Sequence, residues 1–215
     1  KVREAINQPL FSFGGRAIMQ AKANLDLVDL LLQHGADINL RSDWWAGSWG
    51  ILDQTNNEQA DALIARGAKL DVHSAIHLNR LDVARALLDS NPTLAHARGG
   101  DGCLPLHFAR SVEAIDLLQR FDIDLDVIDI DHRSTAAAWL VRDHTHLSKE
   151  LAKRGAALDV FLAAALGEVD RLRELIQSDP TLINAKTGEG FYGEQPPSSF
   201  HIFTWQFGQA KTSLD

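Results

Sequence analysis

Four groups of residues in this chain have types and spacings that could do chemistry. His73 and His77 stand four apart, the spacing at which two imidazoles on one helix face grip a zinc ion, but the glutamate of a His-Glu-x-x-His site is absent and Ser74 stands in its place. Cys103 and His107 could form a thiolate–imidazole pair, yet no third group is there to orient the imidazole. Asp122, Asp124 and Asp126 alternate as calcium ligands do, but Val127 stands where such a loop needs glycine and Arg133 where it needs glutamate. Gly99-Gly100-Asp101-Gly102 is glycine-rich without the Gly-Lys-Ser/Thr that would make it a phosphate cradle, and no Gly-x-Ser-x-Gly elbow occurs. The expectation is therefore no metal, no cofactor and no assembled catalytic set.

A second kind of cluster concerns binding. "SDWWAGSWG" holds three of the five tryptophans, Trp44, Trp45 and Trp49. Tryptophan is enriched where proteins hold partners, because one rigid side chain removes a large apolar area from water.

What positions these residues is an internal repeat. Leu70–Gly102 aligned on Leu158–Gly190, an offset of 88, keeps 15 of 33 residues without a gap. In that alignment His73 and His77 fall on Phe161 and Ala165, which makes them packing positions. Inside the 88 lies a shorter period, with segments closing at Asn39, Asp71, His96, Asp126, Asp159 and Asn184, or about 30 residues per unit. Each unit has one grammar. An apolar stripe such as Leu25, Val28, Leu31 and Leu32 predicts a helix. A helix stop follows, either Gly35, Gly67 or Gly155, or else a Ser-Asn-Pro or Ser-Asp-Pro turn. A shorter apolar stretch precedes each such helix, and "TNNE" (55–58) reads as a capping box. No unit can bury its stripe alone; stacking does so.

This grammar resembles the ankyrin repeat. "LDLVDLLLQHGADIN" is similar to that family's second helix and its exit, and "GGDGCLPLHFA" (99–109) to its Asp-Gly-x-Thr-Pro-Leu-His-x-Ala signature, with Leu104 in place of threonine. "RSDWWAGSWGILD" and "DIDHRSTAAAWLVRD" add a similarity to a group of bacterial ankyrin-repeat domain proteins of unassigned function. The resemblance implies an all-α solenoid of about six to seven irregular helix-turn-helix units with hairpin-like tips. It implies one domain over 1–215 with the start of a further, truncated unit at 212–215, and the length and strand-like composition of the last tip predict an elongated hairpin at 188–211. Leu104 deprives His107 of the family's threonine partner, so that imidazole must bond elsewhere. In this frame Trp49-Gly50-Ile51-Leu52 should open a first helix, and Trp44 and Trp45 should ride on the tip before it.

The chain has 215 residues and a net charge of −8, which argues against nucleic acid or an anionic membrane as partner, since both call for a clustered positive surface. It shows neither a membrane-length apolar run nor a leader, and its single cysteine leaves no intrachain disulfide, so a cytoplasmic protein is expected. The resemblance implies a non-catalytic scaffold that holds a protein partner on the face made by tips and first helices. Candidate contacts are Trp44, Trp45, Asp101, His107, Asp131 and Arg133, the last two in the "VIDIDHRS" tip. The alternative is an enzyme or small-molecule receptor with an aromatic pocket between the Trp44/Trp45 tip, the Asp101/His107 unit and the C-terminal hairpin.

Overall fold

The computed structural model describes residues 5–186 and 202–203. Among them lie ten α-helices: α1 (Ala17–Gln20), α2 (Leu25–Gln33), α3 (Asn57–Ile64), α4 (Val72–His77), α5 (Leu81–Ser90), α6 (Val112–Gln119), α7 (Ala136–Leu140), α8 (Thr145–Lys153), α9 (Val160–Leu166) and α10 (Val169–Ser178). No β-strand occurs among the described residues, only isolated bridges at Phe11–Gly15 and Ile128–Thr135. The fold is all-α.

Local chemistry sets the helix ends. Side chains of Asn24, Asn56, Asp71, Ser111, Thr135 and Asp159 each accept a first-turn backbone N–H, which satisfies a donor that the helix itself leaves unpaired. Helices α2, α3 and α8 all stop on a left-handed glycine followed by alanine: Gly35, Gly67 and Gly155 take φ of +91°, +98° and +102°. The alanine N–H then reaches back to Leu31, Leu63 and Leu151. The 88-residue repeat reappears element for element. Helices α4 and α5 and the turn Pro92–His96 correspond to α9, α10 and the turn Pro180–Asn184. The same left-handed residue joins each pair of helices, Asn79 in one copy and Gly167 in the other.

Two units depart from the expected grammar. Residues 51–54 form a turn instead of a first helix. There the Asp53 carboxylate takes the Gly50 N–H (2.6 Å) and the Thr55 hydroxyl donates to the Leu52 carbonyl (2.7 Å), so side chains claim the groups a helix would use. The capping box expected at Thr55 is consequently absent, and Asn56 caps α3 instead (2.8 Å to Gln59 N). In the second case Pro105–Phe108 makes a single 3-10 turn. The His107 imidazole accepts the Leu104 N–H at 3.2 Å, a backbone substitute for the missing threonine.

Residues that mark the period also tie successive units together. Asn39 donates to Gly67 O (3.0 Å) and accepts from Lys69 N (2.9 Å), and Asn7, 32 residues earlier, does the same with Gly35 O and Asp37 N. His96 bonds to Phe121 O, and Asp126 accepts from Ala157 N.

The chain divides into two compact units, 1–121 and 122–215. The first is built on Ile18, Val28, Leu63, Ile76, Leu88, Ile115 and Leu118, all fully buried, and the second on Leu140, Leu147, Leu151 and Leu162. In the second, the Ile202 N–H donates to Ser134 Oγ (3.2 Å) and the Phe203 ring lies 5.8 Å from Phe161. The hairpin expected at 188–211, apart from these two residues, and the further unit at 212–215 lie outside the described residues.

Candidate functional site

In the first unit, the segment before α1 folds onto the tryptophan-bearing tip. A short turn closed by the Phe11–Gly15 bridge brings Gly14 so near that a side chain there would meet the Asp43 backbone at 2.6 Å. The Asp43 N–H donates to Gly14 O (3.0 Å), and Arg16 clamps the other side through Arg41 O (2.8 Å) and the Asp43 carboxylate (3.0 Å). The result is a row of three rings. Phe13 meets Trp44 edge-to-face at 4.8 Å, and Trp44 meets Trp45 at 5.8 Å. Phe13 is 57% exposed and Trp45 43% exposed, whereas Trp44 is half-buried between them and its indole N–H, shielded from water, finds no acceptor among the described residues.

Trp49 belongs to a different layer. Its N–H and its carbonyl pair with Ser42 and close the tip. Its ring lies flat on Gly100, where a Cβ would stand 2.2 Å from the indole, and its Nε1–H donates to Asp101 Oδ1 at 3.1 Å. Gly47 packs against the Gly99 carbonyl in the same way. The rings of Trp49 and His73 both meet Phe108 edge-to-face.

Each expected site residue can now be placed. Trp44 and Trp45 share one aromatic row, and the Asp101 carboxylate is bonded to Trp49 beneath the same tip. His107 is 2% exposed and turned inward. In the second unit, Asp131 is 4% exposed and one of its oxygens has no hydrogen-bond partner among the described residues, while Arg133 is exposed at a left-handed φ of +49°. That tip is organised by Asp129, whose carboxylate takes the N–H of His132 (2.7 Å) and of Ser134 (2.6 Å). Burial opposes its charge, but these bonds and the His132 imidazole outweigh burial and hold its pKa below the usual carboxylate range. Trp139, on α7, is half-buried and meets the His132 ring at 5.2 Å. His73 and His77 direct Nε2 to different carbonyls, Ala97 and Thr55, both at 2.9 Å. The C-terminal wall of the alternative aromatic pocket lies outside the described residues.

A polar network not visible in the sequence underlies the tip. Arg41 donates through Nε to Ser48 Oγ (2.9 Å), through Nη2 to the Ser48 carbonyl (2.7 Å) and to Asp53 (3.3 Å), and through Nη1 to Asp71. Asp53 is 7% exposed; burial first and the neighbouring Asp71 second raise its pKa to about 6, against the pull of Arg41. Asp71 is pulled the other way: its bond from the Ser74 N–H and the Arg41 charge outweigh burial. Arginine at a tip and aspartate in a turn read in sequence as solvated charges, so nothing there announces the network.

The ankyrin-repeat family matches residues 17–43, which span α1, α2 and the tip as far as Asp43. Residues 17–43 form an ankyrin repeat. The match covers one unit; the helix pairs, the glycine stops and the 88-residue repeat carry the same architecture through the other described units. No curated protein matches the chain. Ankyrin repeats are in general protein-interaction modules, and no helix among the described residues is long and apolar enough to cross a membrane.

Proposed function

We propose that this protein is a non-catalytic scaffold that holds a protein partner on the face made by its tips and first helices, with Trp45 and Phe13 as the apolar anchors. One observation supports this above the others. Two large rings stand exposed beside a third, on a tip that Arg16, Asp43, Trp49 and Asp101 fasten from below. An exposed aromatic row on a rigid base loses little conformational freedom when a partner covers it. Asp131 and Arg133 are the corresponding candidates in the second unit. Cys103, the chain's single cysteine, leaves no intrachain disulfide, which suits a reducing compartment such as the cytoplasm.

The test is site-specific photo-crosslinking in cells of the source organism. A benzophenone residue at position 45 should trap one discrete protein adduct, and the same residue at position 85, exposed on α5, should not. Adducts at 85 with none at 45 would place the binding face elsewhere.

A further inference from the structure

We propose that the pocket beside Asp53 receives a primary alkylammonium group, the head of a lysine-like side chain or of a free amine. The pocket lies within the first unit, between the base of the tryptophan tip and the base of the next, and has a volume of about 180 Å³. A cavity of about 150 Å³ holds benzene, so this one has room for a chain of four or five carbons.

Its walls and its end differ in chemistry. Ile38, Ile51, Leu52 and Leu70 supply apolar lining suited to methylenes. Asp53 supplies the polar end. Both bonds to its carboxylate, from Gly50 N (2.6 Å) and Arg41 (3.3 Å), fall on Oδ2, and Oδ1 has no partner among the described residues. The side chain is 6% exposed, so water reaches it only sparingly, and it lines the pocket. Arg41 cannot turn further toward it, because the same guanidinium is held by Ser48 and Asp71. One cation thus serves two carboxylates, and the elevated pKa of Asp53 agrees with a charge that is under-compensated. Lys22 donates to the Asp53 carbonyl (3.4 Å) and not to the carboxylate, its charge is the weakest of the pulls on Asp53, and burial lowers its own pKa. Lys69 also lines the pocket, though it is exposed. An ammonium on an alkyl stem supplies what is lacking: a donor and positive charge for Oδ1, and carbon for the walls.

The experiment is a ¹³C-carboxyl NMR titration of Asp53, assigned by its loss in Asp53→Asn, with and without n-butylammonium. It is run on the wild type and on Lys69→Met, so that Lys69 itself cannot mask binding. A cation that binds the carboxylate stabilises the ionised form. The midpoint, about 6 without ligand, should therefore fall by at least about half a unit with n-butylammonium, and n-butanol should leave it in place. N-acetyl-lysine methylamide separates the sources: a shift equal to that of butylammonium indicates a basic side chain of a protein, and a shift with butylammonium alone indicates a free amine. No shift in either protein, or an equal shift with butanol, overturns the proposal. The test uses no protein partner, so its failure and that of the scaffold reading are distinguishable.

Discussion

Trp49 donates its indole N–H to the carboxylate of Asp101 across 52 residues of sequence, at 3.1 Å. That bond joins the tryptophan-bearing tip to the glycine-rich tip that follows, and Gly100 lets the indole lie directly on the backbone. Asp101 reaches this position at a left-handed φ of +55°, a conformation aspartate tolerates better than most residues. Trp49→Phe and Asp101→Ala should each lower stability, and the double variant should lose less than their sum. A coupling of about 1 kcal/mol is expected for a charge-assisted bond at a half-buried site. Urea melts of the four proteins measure it. Strict additivity would mean that the bond contributes nothing.

The two tip tryptophans should separate in a melt. Trp44 stands between Phe13 and Trp45 and is half-buried, so Trp44→Ala removes two ring contacts and should cost about 2 kcal/mol. Trp45→Ala removes one contact from an exposed ring and should stay below about 1 kcal/mol. Equal losses in the two variants would contradict this assignment of anchor and support.

Much of the scaffold was legible in the sequence, because its signals are local. The glycine stops depend on residues within a turn of one another and the 15 identities on a unit pattern that recurs at an offset of 88, whereas the one cap read from the sequence, at Thr55, falls on Asn56 instead. Even the period markers Asn39, His96 and Asp126 have a physical role, as the side chains that tie one unit to the next. The helix expected at Trp49–Leu52 failed where a local rule lost to a side chain, since the Asp53 carboxylate captures the Gly50 N–H. The candidate site was less legible. Phe13 joins Trp44 only because Gly14 lets two backbones touch, and Arg41 meets Asp53 and Asp71 only when successive tips stack. Neither contact leaves a pattern along the chain.

Asp53 should make this protein gain stability as it is mildly acidified. Its folded pKa, about 6, lies above the unfolded value near 3.9, so between those limits the native state holds a proton that the unfolded state does not. Stability from this group therefore rises as pH falls through 6 and levels off below about 4. Relative to Asp53→Asn, the wild type should gain about 1 kcal/mol between pH 7 and pH 5. Denaturant melts of both proteins at the two pH values test it, and a wild type that loses ground over that interval would refute the raised pKa.

His73 should act in the opposite direction over the same interval. Burial is the largest influence on its imidazole and lowers the pKa, with Asp71 and the Ala97 carbonyl opposing. The folded protein therefore resists a proton that the unfolded chain accepts near pH 6.5, and stability from this group is lost as pH falls below that value. Phenylalanine is the informative replacement, because Phe161 occupies the equivalent position 88 residues on and fills the same place on a first helix. His73→Phe forgoes the 2.9 Å bond to Ala97 O but no longer titrates. Between pH 7 and pH 5 the wild type should lose stability relative to this variant by up to about 2 kcal/mol, the limit set by the unfolded imidazole alone. In the doubly substituted protein, Asp53→Asn with His73→Phe, both contributions vanish and the stability profile over that interval should flatten. A slope that persists there would have to come from groups other than these two.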